Sequence, residues 1–156
     1  MSLKQNVGEI ERRIEQACSA VGRRRSEVTL VAVTKTVQIE KIREAYDLGI
    51  RDFGESRLQE ALPKIEALPD DIRWHFIGKL QSNKAKRVAD FFHLIHTLDS
   101  ESQLREIAKQ CRRIDGLIEV NVGKEAQKSG ITPGALDEFI ATCTNCKEVR
   151  LRGLMT

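Results

Sequence analysis

The sequence predicts a parallel α/β domain. Three observations point there: short β-branched apolar runs recur along the 156 residues, amphipathic helical segments alternate with them, and capping signals mark several helix starts. The chain opens on a helix, because Leu3, Val7, Ile10, Ile14, Ala17 and Val21 recur at three- and four-residue steps. Gly22 ends it, and Arg23-Arg24-Arg25 reads as a solvated turn.

From Val28 the period changes. Residues 28–34 form a nearly continuous β-branched run, as expected of a parallel strand covered on both faces. A helix follows through Ile39, Ile42, Ala45 and Tyr46, and Gly49 stops it. Further strands are predicted at 50–54, 73–78, 91–98, 116–122 and 149–155, with helices at 57–67, 83–90, 101–113 and 133–145. Ser56 with Gln59 and Ser100 with Gln103 have capping-box spacing, and Thr132 precedes a proline at a first helical position. Six strands alternating with five helices leave two architectures, an open doubly wound sheet or part of a (β/α)₈ barrel. No linker or low-complexity segment divides the chain, so a single domain over 1–156 is expected.

Composition excludes several classes. A hydrophobic share of 40% with 31% charged residues suits a globular protein, not a disordered one. No apolar run approaches the ~20 residues of a membrane span, and the polar start is unlike an export signal, so a cytoplasmic chain without membrane partners is expected. Lys plus Arg at 26 against Asp plus Glu at 23 leaves a surplus of +3, too small to argue for nucleic acid. Four cysteines without an export signal read as reduced thiols. Cys143 and Cys146 have C-x-x-C spacing but fall at a helix end, where a thiolate gains no dipole stabilisation.

Function in either architecture sits at the carboxyl ends of the strands. Lys35 ends the first apolar run on the period-two face of Val31 and Val33, where a partly desolvated amine could act as a nucleophile. Ser56 and Asn121 stand at two further strand ends. His75, between Trp74 and Phe76, points opposite to both aromatics and is a candidate lining residue. Glu119 lies inside a strand, where an unpaired carboxylate is costly, so it is expected either to pair with a base in the barrel interior or to mark a site. His93 and His96, three apart on a strand, are expected on opposite faces and make a poor metal pair.

These residues resemble a known family. Ala32-Val33-Thr34-Lys35-Thr36, Phe53-Gly54-Glu55-Ser56-Arg57-Leu58-Gln59-Glu60 and Trp74-His75-Phe76-Ile77-Gly78-Lys79-Leu80-Gln81-Ser82-Asn83-Lys84 look like successive motifs of the pyridoxal phosphate homeostasis proteins. Glu119-Val120-Asn121-Val122, Lys128-Ser129-Gly130-Ile131 and Leu151-Arg152-Gly153-Leu154-Met155 continue the match in order. The resemblance implies the barrel fold of the alanine racemase N-terminal domain, with about six of eight strands present and an added N-terminal helix. It implies pyridoxal 5′-phosphate as cofactor, held by Lys35 as an internal aldimine, with Ser56, His75 and Asn121 as further cofactor-binding candidates, and no dedicated reaction. An amino-acid racemase and a barrel fragment without cofactor competence are the competing readings.

Three positions depart from the family pattern. Ser56 stands where asparagine is usual, Thr34 where serine is common, and Glu119 where a neutral amide is common. In the family the phosphate is bound by loops that follow the sixth strand, so weak or absent cofactor binding is expected unless something replaces them. An open six-strand arc would leave two edges and an apolar interior exposed, so self-association is expected.

Overall fold

Six parallel strands pair in the order in which they occur in the chain: β1 (Ala32–Val33), β2 (Asp52–Glu55), β3 (Arg73–Phe76), β4 (Leu94–Leu98), β5 (Ile114–Glu119) and β6 (Val149–Met155). Helices α1 (Leu3–Ala20), α2 (Ile39–Asp47), α3 (Leu58–Ala67), α4 (Ser82–Phe91), α5 (Glu101–Ile107) and α6 (Leu136–Asn145) precede and separate them. This sequential order is that of a β/α barrel, not the reversing order of a doubly wound sheet. The sheet stays open, with β1 and β6 at its edges. The computed structural model describes residues 2–109, 112–123 and 129–156, so Cys111 and Lys128 lie outside the described residues. None of the described helices is long and apolar enough to cross a membrane.

Local signals explain most boundaries. Ser2 caps α1 reciprocally with Gln5, its backbone N–H donating to Gln5 Oε1 at 2.8 Å while its hydroxyl accepts from Gln5 N at 3.3 Å. At the start of α5 the buried Gln103 side chain accepts from Ser100 N at 3.3 Å and Asp99 N at 2.8 Å, and donates to Leu80 O at 2.8 Å. The capping box expected there is present. The one expected at Ser56 is not: Arg57 is the N-cap residue, in extended conformation, and its side chain donates to the Glu60 carboxylate at 2.8 Å instead of capping a backbone N–H of the helix. The Thr132-Pro133 start opens a short 3₁₀ turn, Pro133–Ala135, before α6.

The first strand is far shorter than its apolar run. Only Ala32 and Val33 pair, with Phe53 and Gly54, although residues 28–34 all favour strand. A ladder needs a neighbour, and this edge strand faces a four-residue β2. α5 likewise stops at Ile107, short of the expected 113.

Alternation along the strands sorts two faces. Phe53, Trp74, Phe76, Ile95, Ile114 and Ile118 are buried beneath the helices, where Phe53 meets Trp74 at 5.9 Å and Phe76 meets Phe92 edge-on at 5.3 Å between ring centroids. Side chains of this size each contribute about 1.5–3 kcal/mol on burial. The opposite face, the barrel interior, is partly ionic. Asp115 accepts from Arg150 at 2.6 Å, and Asp52 lies between Arg73 and His75.

Candidate functional site

Lys35 follows β1 at its carboxyl end, in a turn closed by the Val37 N–H donating to Thr34 O at 3.0 Å. Its side chain is exposed and makes no hydrogen bond or ion pair among the described residues. The next residue, Thr36, has φ +64°, a left-handed conformation rarely adopted by a β-branched side chain.

Behind this turn lies a buried polar cluster. Thr34 Oγ1 donates to Glu55 Oε1 at 2.7 Å, and Lys64 Nζ donates to the same oxygen at 2.7 Å and to Thr34 O at 2.9 Å. Glu55 is fully buried, and its second oxygen has no hydrogen-bond partner among the described residues. The sequence reading missed this cluster. A signal existed: Glu55 shares the period-two face of Phe53, so a carboxylate had to enter the helix-side core and needed a cation.

Ser56 stands at the end of β2, beside the β1 end, because Thr34 N donates to Gly54 O at 2.9 Å and Ile77 N to Glu55 O at 2.9 Å. Gly78 lets the two loops touch: a Cβ there would lie 2.1 Å from the Ser56 carbonyl oxygen. Between these loops opens a cleft of about 410 Å³ whose lining includes Ser56, Arg57, Lys79 and Lys84 but not Lys35. Asn121 stands on the same rim, its N–H donating to Ile131 O at 2.9 Å beyond the end of β5.

Of the two expectations for Glu119, pairing with a base is not met: among the described residues it forms no ion pair. Burial holds its carboxyl above the usual range, Asp99 adds to that, and Lys79 opposes it.

His75 lies deeper. Its Nε2 is 2.9 Å from Asp52 Oδ1 and its Nδ1 is 2.9 Å from His96 Nε2. Burial opposes ionisation of Asp52, but hydrogen bonds from Arg73 and His75 outweigh it and hold the carboxyl low. With Asp52 ionised, His75 donates from Nε2 and accepts at Nδ1 from the His96 N–H. Both ring nitrogens of His75 are therefore already used inside the sheet. His93 and His96 do not diverge as the alternation implied. Their rings both approach His75, with centroids 6.2 and 5.2 Å away, because His93 precedes β4 and escapes its alternation.

Burial, with His75 adding to it, pushes His96 from 6.5 down to about 4. Its neutral form therefore stabilises the fold above pH ~6.5, and that contribution is lost as pH falls toward 4. After allowance for solvent screening, the loss is about 1–2 kcal/mol. Urea unfolding across this window should show a shallower acid dependence for His96→Phe than for the unsubstituted chain; identical slopes would contradict the assignment.

The remaining chemistry is quiet. Burial pushes the Cys143 thiol up to about 11 and raises Cys146 as well, so both stay protonated near neutrality. Tyr46 donates to Asp71 at 2.7 Å and lies under Arg51, at the end of the sheet opposite Lys35.

Comparison with known proteins places this geometry. The family profile described as alanine racemase, N-terminal domain, matches residues 5–156. The pyridoxal phosphate homeostasis protein of Aquifex aeolicus is 41% identical over 161 residues, covering 100% of this chain and 71% of that protein. The protein of the same name from Synechocystis sp. is 47% identical over 135 residues, covering 83% of this chain and 62% of its own length. Among solved structures, PipY of Synechococcus elongatus with PLP bound superposes with a TM-score of 0.73 at 35% identity, over 91% of this chain and 68% of that one. Alanine racemase of Corynebacterium glutamicum, at 14% identity and a TM-score of 0.67 over 81% of this chain and 38% of that one, shares the fold. With six strands in barrel order and relatives this close along its whole length, the chain belongs to the pyridoxal phosphate homeostasis protein family, built on the alanine racemase N-terminal domain fold.

Proposed function

We propose that this chain binds pyridoxal 5′-phosphate, joins its aldehyde to the Lys35 amine as a Schiff base with loss of water, and holds it as a carrier with no dedicated reaction. One observation carries the reading: Lys35 follows β1 at the functional rim of the sheet with an amine that no described side chain occupies. Lys35 fits the aldehyde end of the group, which needs an unpaired primary amine. When bound, the cofactor supplies an electron-withdrawing ring conjugated to the imine. Ser56 and Asn121 border the same rim, whereas His75 supports the site from beneath through Asp52 and His96. A racemase would need an acid/base group facing Lys35, and Tyr46, the only tyrosine, is bound to Asp71 at the far end of the sheet.

Titration with pyridoxal phosphate should produce a visible Schiff-base band that borohydride removes, and peptide mapping should then place the reduced adduct on Lys35. An adduct found mainly on Lys79 or Lys84 would refute the assignment.

The open edges support a further property of the chain, association with a second copy of itself. Val33 in β1 and Leu154 in β6 are each 52% exposed, on edge strands that pair with another described strand on one side only. Sedimentation equilibrium should show mass rising with concentration, and Val33→Lys with Leu154→Lys should suppress the rise. A monomer at all concentrations would remove this proposal.

A further inference from the structure

The geometry points to Lys64 and Glu55 as positioning residues, and we propose that they hold the Thr34 carbonyl and thereby set how Lys35 leaves the end of β1. The proposal rests on the Schiff-base reading above.

Lys64 comes from α3 and is 8% exposed, and Glu55 is fully buried. Two charges taken out of water are expensive, and a well-packed apolar pair of similar volume often serves stability as well or better. What an apolar pair would not do is bind a backbone carbonyl. Lys64 Nζ reaches Thr34 O at 2.9 Å while Glu55 Oε1 holds both that ammonium and the Thr34 hydroxyl at 2.7 Å. Thr34 O belongs to the peptide bond immediately before Lys35. The same oxygen accepts from Val37 N at 3.0 Å and so closes the turn that has Lys35 and Thr36 at its centre.

That turn is strained. Positive φ at the third position of such a turn is ordinarily glycine's role, and here it falls on Thr36 at +64°. A conformation of this kind persists only where its surroundings over-determine it. The Lys64–Glu55 clamp on Thr34 supplies that constraint from the buried side, leaving the exposed side to the Lys35 amine. A loosened turn would let the amine sample directions unsuited to the cofactor, and the Schiff-base equilibrium would weaken through lost preorganisation.

The test uses Glu55→Leu with Lys64→Met, which removes both charges together and keeps the volume, and Thr34→Val as a milder variant that keeps the ion pair. Three quantities are read: the melting transition, hydrogen exchange at the Val37 amide without cofactor, and the Schiff-base equilibrium constant at Lys35. We expect the double variant to melt cooperatively, its Val37 exchange to rise about tenfold, and its Schiff-base constant to fall about tenfold. If the double variant does not fold, Thr34→Val should show the same two changes in smaller degree. A folded double variant with an unchanged Schiff-base constant overturns the proposal, whatever its Val37 exchange. An unsubstituted chain that traps no pyridoxal phosphate on Lys35 refutes the Schiff-base reading instead. The clamp on the turn is then decided by Val37 exchange alone, and unchanged exchange removes it.

Discussion

Lys35→Ala should leave no borohydride-trapped pyridoxal phosphate at the β1 end, with only slow background labelling of other exposed lysines. The effect is all-or-none because the bond to the cofactor needs a primary amine that can shed its proton, and alanine has none. Lys35→Arg sharpens the test. Arginine keeps the positive charge but stays protonated in proteins, so it should fail to form the adduct as completely as alanine does. If Lys35→Arg retained the visible band, attraction of the phosphate rather than covalent capture would explain the binding. Both variants should fold normally. Lys35 is exposed and forms no hydrogen bond or ion pair among the described residues, so its removal should change stability by less than about 0.5 kcal/mol. Loss of the adduct can then be read as chemistry and not as unfolding.

Lys64→Met should be the most destabilising single exchange near the site, at about 3–5 kcal/mol by urea unfolding. The methionine itself would pack well. The cost arises on the other side, where the Glu55 carboxylate, buried and already with one oxygen lacking a hydrogen-bond partner among the described residues, would lose its cation. Adding Glu55→Leu to Lys64→Met should recover most of the loss, since no buried charge then remains. A single exchange costing less than about 1 kcal/mol would mean that water or a rearranged neighbour solvates Glu55, and the clamp on Thr34 would have to be abandoned with it.

The helix and strand rhythm was legible because it is local. β6 is observed over Val149–Met155 against an expected 149–155, and α4 over Ser82–Phe91 against 83–90, since period and capping depend on near neighbours. The position of Lys35 was legible for the same reason: an apolar run that ends in a lysine marks a strand end from sequence alone. Ser56 shows where local reasoning failed. Its spacing to Gln59 suits a capping box, but its carbonyl is pressed against Gly78, and the helix starts beyond Arg57.

The sequence by itself determined the parallel α/β class, the order of elements, the candidate lysine and, through its motifs, the family. Tertiary structure alone decided the length of β1, the meeting of His93 and His96 at His75, and the joining of Thr34, Glu55 and Lys64 behind Lys35. The physical reason is range. Which face a side chain takes follows from the residues beside it, whereas the partner it meets there depends on register and on the placement of a helix many residues away, and no local period encodes either.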